Sequence, residues 1–255
     1  MTTERTARAW ARITAAHQGG APVSVAALCR AAVRWLEVDG ASVTLMSGAM
    51  AREPLFSSNA LSARLEELQF MTGEGPGAED FRFGSPMLIP DLEAVAQRWP
   101  GFVSAAVAAG ARAMLAVPLQ AGALRVGVLS LYRVLPGPMV TDELADVLVF
   151  ADIALQMVLD GAAGISGSPE YQPLEGLSDS RAEVYQATGM ISVQLGVPLE
   201  EAFVRMRAHA FASGAALGAV ADDVVNRQLR FDPDPDPDPG PGPGTAAGPA
   251  SRPRA

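Results

Sequence analysis

Lysine is absent from this chain of 255 residues, and all 19 basic residues are arginine. That excludes Schiff-base catalysis and the lysine of a Walker-type phosphate loop. Cysteine occurs once, at Cys29, and histidine twice, at His17 and His209. One cysteine cannot form an internal disulfide, and so few sulfur and imidazole groups cannot build a Cys/His metal cage. Cys29 also falls on the apolar stripe Val25, Leu28, Cys29, Ala32 and Leu36, which reads as a buried thiol. Uninterrupted apolar runs are missing too. The longest candidate, Leu144 to Leu159, is broken by Asp146 and Asp152 and is too short to span a bilayer, and the N-terminus has arginines without a secretory apolar core. Positive charge is scarce: the net charge is -9 and the pI about 4.7, which argues against a general polyanion-binding surface. A soluble protein of the reducing cytoplasm is expected.

What is present is apolar content of 49%, sufficient for one full core and a smaller module. Residues 22–38 have helical spacing, and a strand follows at 42–47 with a partner near 53–58. Helical spacing returns at 61–70, Gly73 to Gly77 reads as a loop, and 86–89 as a short strand entering a helix at 91–97. Another helix is expected near 102–109. Strands at 113–119 and 125–133 form the best-marked pair, and the second is apolar on both faces, which predicts a central position between two helical layers. From Thr141 a long helix repeats apolar residues at 144, 148, 151, 155 and 158, a pattern suited to covering the sheet and to meeting the same helix of a second subunit. The Gly/Ser/Pro-rich stretch from Gly161 then reads as a linker.

Three short helices close the folded part. Val184, Ala187, Met190 and Ile191 form one apolar face, with Arg181, Tyr185, Thr188 and Ser192 on an adjoining polar one. Gly196 ends that helix, and Gly214 ends a second that turns Ala202, Phe203, Met206 and Ala210 inward. The third carries Leu217, Val220, Ala221, Val224 and Val225 at bundle spacing. Between Ser178 and Phe231, five arginines stand against six carboxylates, so any phosphate contact must be local.

The succession Gln186-Ala187-Thr188-Gly189, Gly196-Val197, Glu201-Ala202-Phe203, Met206-Arg207, Leu217 and Val220-Ala221 resembles the ANTAR domain, a three-helix module that binds paired RNA hairpins. The resemblance implies a transcription antiterminator in which Arg181, Tyr185, Thr188, Arg205, Arg207 and His209 face RNA. Thr188 stands where the family usually has lysine. Upstream, Gly73-Glu74-Gly75-Pro76, Asp91-Leu92, Arg98-Trp99-Pro100, Gly110-Ala111-Arg112-Ala113, Val117-Pro118-Leu119 and Gly127 to Tyr132 are together similar to a GAF domain, a sensor of small molecules or redox state. The expected fold class is α+β: a GAF-like antiparallel sheet flanked by helices, then an all-α three-helix bundle and a disordered tail.

The expected boundaries are an N-terminal arm at 1–19, the sensor at 20–160, a linker at 161–177, the bundle at 178–231 and a Pro/Asp/Gly tail at 232–255. In the sensor, Arg98 and Trp99 are the pair to hold an aromatic or anionic ligand, with indole packing and a pairing of Arg98 to Asp91 or Glu93 as the plainer alternative. The carboxylate pairs Glu66-Glu67, Glu79-Asp80 and Asp222-Asp223 read as solvated faces. No nucleophile, base and orienting group combine, so no enzyme and no cofactor or metal is expected. The expected partners are nascent RNA with paired hairpins, a second copy of the chain through helix 141–160, and an unknown signal at the sensor. The competing reading is a protein-interaction regulator whose bundle serves dimerisation or partner binding without RNA affinity.

Overall fold

A computed structural model describes residues 2–17, 23–47, 51–138, 141–162 and 177–232. The 161–177 linker and the 232–255 tail therefore fall almost entirely outside the described residues. The first domain is built on a five-stranded antiparallel sheet in the order β2-β1-β5-β4-β3, with strands at Gly40–Ser47, Ala51–Ser57, Met87–Ile89, Ala113–Ala121 and Leu124–Arg133 numbered along the chain. The strand expected at the centre, β5, is there. Val43, Leu129 and Leu131 point to one face, where α1 (Thr2–Ala16), α2 (Val25–Trp35) and α6 (Thr141–Ala162) cover them with Leu28, Phe150 and Ile153. On the opposite face Met114 and Tyr132 meet Leu65, Leu92 and Phe102. These come from α3 (Ala60–Thr72), the turn at 92–95 and α5 (Pro100–Ala108). A strand buried on both faces needs apolar residues at consecutive positions, as β5 has.

Local chemistry sets the element ends. Asn59 caps α3 by accepting from the Ser62 amide, while the Ser62 hydroxyl accepts from the Asn59 amide; Gly73 closes the helix in the left-handed region. Pro76 then starts an eight-residue helix, α4 (Pro76–Phe83), within a stretch read from its glycines as loop. Gly127 lets β1 and β5 approach: a Cβ there would lie 2.4 Å from the Thr44 carbonyl oxygen.

Three expectations need correction. Most of the 1–19 arm is a helix, α1, whose Ala9 and Ile13 are buried against α2 and α6 and whose Arg5 reaches Asp142 and Asp146. Its two buried positions, Ala9 and Ile13, lie four apart, a weak signal in a segment that also carries Arg5, Arg8 and Arg12. The 91–97 helix shrinks to a 3-10 turn at Glu93–Val95. Glu66, Glu67 and Asp80 are buried rather than solvated. Neighbouring carboxylates on α3 diverge, but both directions are covered, one by the sheet and one by the second domain.

That second domain comprises α7 (Leu177–Leu195), α8 (Leu199–Ser213) and α9 (Leu217–Val225). Val184, Ala187, Ile191, Phe203, Met206, Val220 and Val224 form its core, as their spacing predicts. Phe70 of α3 joins the same core: it is 1% exposed and packs on Phe203 and Tyr185 at centroid distances of 5.6 and 6.1 Å. The bundle is completed by a side chain of the sheet domain. Burying a phenylalanine contributes on the order of 2 kcal/mol, so this contact ties the two domains together.

Candidate nucleic-acid interface

Of the six bundle residues expected at RNA, the first three lie inward or at the domain junction. Arg181 is buried on α7. Its Nε and Nη2 donate to Glu67 Oε2 at 3.2 and 3.1 Å, its Nη1 donates to the Arg52 carbonyl at 2.8 Å, and its guanidinium sits 4.6 Å over the Phe70 ring. Tyr185, one turn on, receives the Arg52 amide at 3.2 Å and donates back to the Arg52 carbonyl at 3.3 Å. Thr188 is buried, and its hydroxyl donates to the Val184 carbonyl at 2.7 Å. The polar face expected on α7 is thus the docking face toward β2 and α3.

The α8 residues are more open. Arg205 donates to Glu201 at 2.8 Å across one helical turn, an exposed pair of modest worth. Arg207 stacks 4.5 Å over Phe203 and lies against Gly73, where a Cβ would come within 1.4 Å of its Nη1. His209 is exposed and meets Phe231 edge-on at 5.3 Å. On the outer side of α8, Val204 and Phe211 stand 52% and 82% exposed.

In the sheet domain Arg98 and Trp99 converge on one carboxylate that sequence reasoning did not assign to them. Both Arg98 Nε and Trp99 Nε1 donate to Glu79 Oε2, at 3.0 and 2.9 Å, and Arg98 Nη2 reaches Glu79 Oε1; the guanidinium lies 4.7 Å over the indole. Trp99 is buried, and the Arg98 partner is Glu79 rather than Asp91 or Glu93, which bind Arg112 instead.

A second polar set lies between the sheet and α3 and α4, and sequence reasoning missed it. Glu66 accepts from Ser42 Oγ at 2.8 Å and Thr44 Oγ1 at 2.9 Å, and Gln69 Oε1 accepts from the Gly77 amide at 2.8 Å. Asp80 is fully buried, and neither carboxylate oxygen has a hydrogen-bond partner among the described residues. Burial pushes its carboxyl up to about 8, against a smaller opposing effect of Arg125. Ser130 Oγ nearby is likewise buried and unpartnered. The one signal for this set was that α3 carries apolar residues in more than one direction, with Leu61, Leu65 and Leu68 on one side and Phe70 and Met71 on another; a helix of that kind is covered from several directions. Separately, a cavity of about 270 Å³ lined by Val38, Leu88, Ile89, Leu131 and Arg133 opens at the β3 edge. Among the described residues no cluster of His, Cys, Asp or Glu is placed to hold a metal, and no helix is long and apolar enough to cross a membrane.

Residues 23–157, more than half of the chain, match the GAF domain model. The chain belongs to the GAF domain family. Residues 174–225 match the ANTAR domain model, so the three-helix bundle is an ANTAR domain following the GAF sheet. Similar solved structures include the GAF domain from an Acinetobacter phosphoenolpyruvate-protein phosphotransferase, at 14% identity over 64% of this chain and 96% of that one, with a TM-score of 0.47. A domain of a putative two-component sensor histidine kinase from Sinorhizobium meliloti 1021 is similar at 17% identity over 55% and 90%, TM-score 0.46. No curated protein matches. A GAF sensor joined to an ANTAR output is a signal-regulated regulator, and both domains are regulatory rather than catalytic in kind.

Proposed function

We propose that this protein is a cytoplasmic, non-enzymatic RNA-binding regulator that acts as a transcription antiterminator under control of its GAF domain. The observation that carries the reading is the ANTAR match at 174–225, on a bundle whose core follows that pattern. Arg205, Arg207 and His209 are accessible or partly so on α8, where guanidinium forks and an imidazole suit phosphate and base edges. Arg181 and Tyr185 are held by Glu67 and Arg52, so their use on RNA requires the ANTAR domain to leave α3. A signal received at the GAF domain that shifts α3 favours that release, because Glu66 faces the sheet and Glu67 faces Arg181 on the same helix. A second subunit, meeting the first through helix 141–160, sets two bundles at high effective concentration for two hairpins; Leu148 and Leu159 are exposed on that helix.

The test is fluorescence anisotropy of a labelled two-hairpin RNA against the full chain at several salt concentrations, with a single-hairpin RNA alongside. Arg207→Ala is expected to weaken binding at least tenfold, and Glu67→Gln, which loosens the docked arrangement, to strengthen it. Wild-type affinity should fall steeply with salt. The second reading, a protein-interaction regulator, is favoured by one observation, the exposed apolar Val204 and Phe211 on α8. Failure of both wild type and Glu67→Gln to bind either RNA would leave that reading in place of the first.

A further inference from the structure

Three guanidinium groups converge on the junction between the two domains, and among the described residues one of them is paired. Arg181 is matched by Glu67. Arg52, on β2, is buried, and among the described residues its guanidinium has no hydrogen bond and no carboxylate at ion-pair distance; its backbone amide and carbonyl hold Tyr185 and Arg181. Arg207, on α8, has its Nε buried without a partner among the described residues, and its guanidinium lies over the Phe203 face and against the bare backbone at Gly73. The groups are contiguous: Arg52 touches Arg181 through its carbonyl, Arg181 lies on Phe70, Phe70 packs on Phe203, and Phe203 carries Arg207. Glu66 is the remaining nearby carboxylate, and it is engaged by Ser42 and Thr44. Arg52, Arg181 and Arg207 against Glu66 and Glu67 leave the junction with one positive charge uncompensated.

Buried cations are normally paired, because removing an unpaired charge from water is costly. Arg52 is buried without an acceptor among the described residues, and part-buried Arg207 has its Nε without one, so the two domains together present guanidinium donors suited to an anion. We propose that Arg52 and Arg207 form an oxyanion site at the GAF–ANTAR junction that takes phosphate, either free or as the phosphate group of a small phosphorylated ligand. Guanidinium forks match phosphate oxygens in paired, charge-assisted hydrogen bonds, which a point-charge ammonium does not reproduce. Burial pushes the Arg52 guanidinium down to about 10, partly offset by Glu66 and reinforced by Arg207 and Arg181, and a bound anion would relieve that burial. Because one arginine comes from each domain, the anion binds the docked arrangement and stabilises it by mass action. This goes beyond the RNA reading and does not depend on it.

The experiment is isothermal titration calorimetry on the full chain in low-salt buffer, with inorganic phosphate, adenosine monophosphate and a short unstructured RNA in separate titrations. One saturable site per chain is expected for phosphate or the nucleotide, with a rise in melting temperature on addition. Arg207→Gln and Arg52→Gln should each weaken it at least tenfold, and Arg230→Gln, which changes an exposed arginine elsewhere, should leave it unchanged. Should Arg52→Gln not fold, Arg207→Gln carries the test alone, since its side chain is only part-buried on α8. Equal affinities for phosphate and the nucleotide support the free anion as ligand; a preference for the nucleotide supports a phosphate carried by a larger molecule. Absence of saturable binding to both, undiminished binding in Arg207→Gln, or binding of the RNA alone overturns the proposal.

Discussion

Glu67→Gln tests the docked arrangement most directly. Glu67 and Arg181 have side chains only 9% and 8% exposed, joined by two hydrogen bonds of 3.1 and 3.2 Å. Removing one partner of a buried ion pair costs about 3–5 kcal/mol when the other stays buried. Glutamine keeps a carbonyl acceptor and Arg181 keeps the Arg52 carbonyl and the Phe70 face, so about 2–3 kcal/mol is the fitting share. That loss shifts a docking equilibrium by roughly 30- to 150-fold, at about 1.4 kcal/mol per decade. Undocking also limits the loss, because released Arg181 regains water. The assay is urea unfolding followed by two probes. All three tryptophans, Trp10, Trp35 and Trp99, lie in the sheet domain with its covering helices, so their fluorescence reports that domain, whereas far-UV circular dichroism reports both. In the wild type the two curves should coincide; in Glu67→Gln the dichroism should begin to fall first, as the undocked ANTAR helices unfold ahead of the sheet domain. A double-mutant cycle with Arg181→Met should give a coupling of about 1–3 kcal/mol. Coincident curves in the variant together with a coupling under about 0.5 kcal/mol would refute the reasoning.

Three further outcomes are expected. The Asp80 carboxyl titrates at about 8 when folded and near 3.8 when unfolded, so its contribution to stability is fully present below pH 3.8 and is lost as pH rises through 8; Asp80→Asn should flatten the fall in melting temperature between pH 4 and 8 and stabilise the protein at the upper end. Burial raises the Cys29 thiol far above its ordinary range, so a thiol-reactive disulfide reagent should label it only at the rate of unfolding, and fast labelling of native protein would contradict its place on the buried face of α2. Gly127→Ala should lower stability by several kcal/mol, measured by thermal unfolding, since a Cβ at 2.4 Å from the Thr44 carbonyl must part β1 from β5.

The sequence by itself determined the helix-sheet-helix order, the central position of β5, the burial of Cys29 and the three-helix core, because each of these follows from the period of apolar residues along a short segment. The ANTAR and GAF resemblances were legible in the same way, through local motifs that the family models also match. Only the tertiary structure decided which polar residues face solvent. Arg181, Tyr185 and Thr188 have the spacing of an exposed stripe, yet α7 turns that stripe to β2 and α3, where Glu67, the Arg52 backbone and the Val184 carbonyl satisfy them. Arg98 met Glu79 rather than its nearer neighbours Asp91 and Glu93 for a similar reason: 19 residues of chain bring it back beside α4. Periodicity distinguishes a covered face from an uncovered one only when apolar residues do the covering. A polar face buried by a complementary polar face leaves no trace in the spacing, and its partners lie 114 to 133 residues away along the chain.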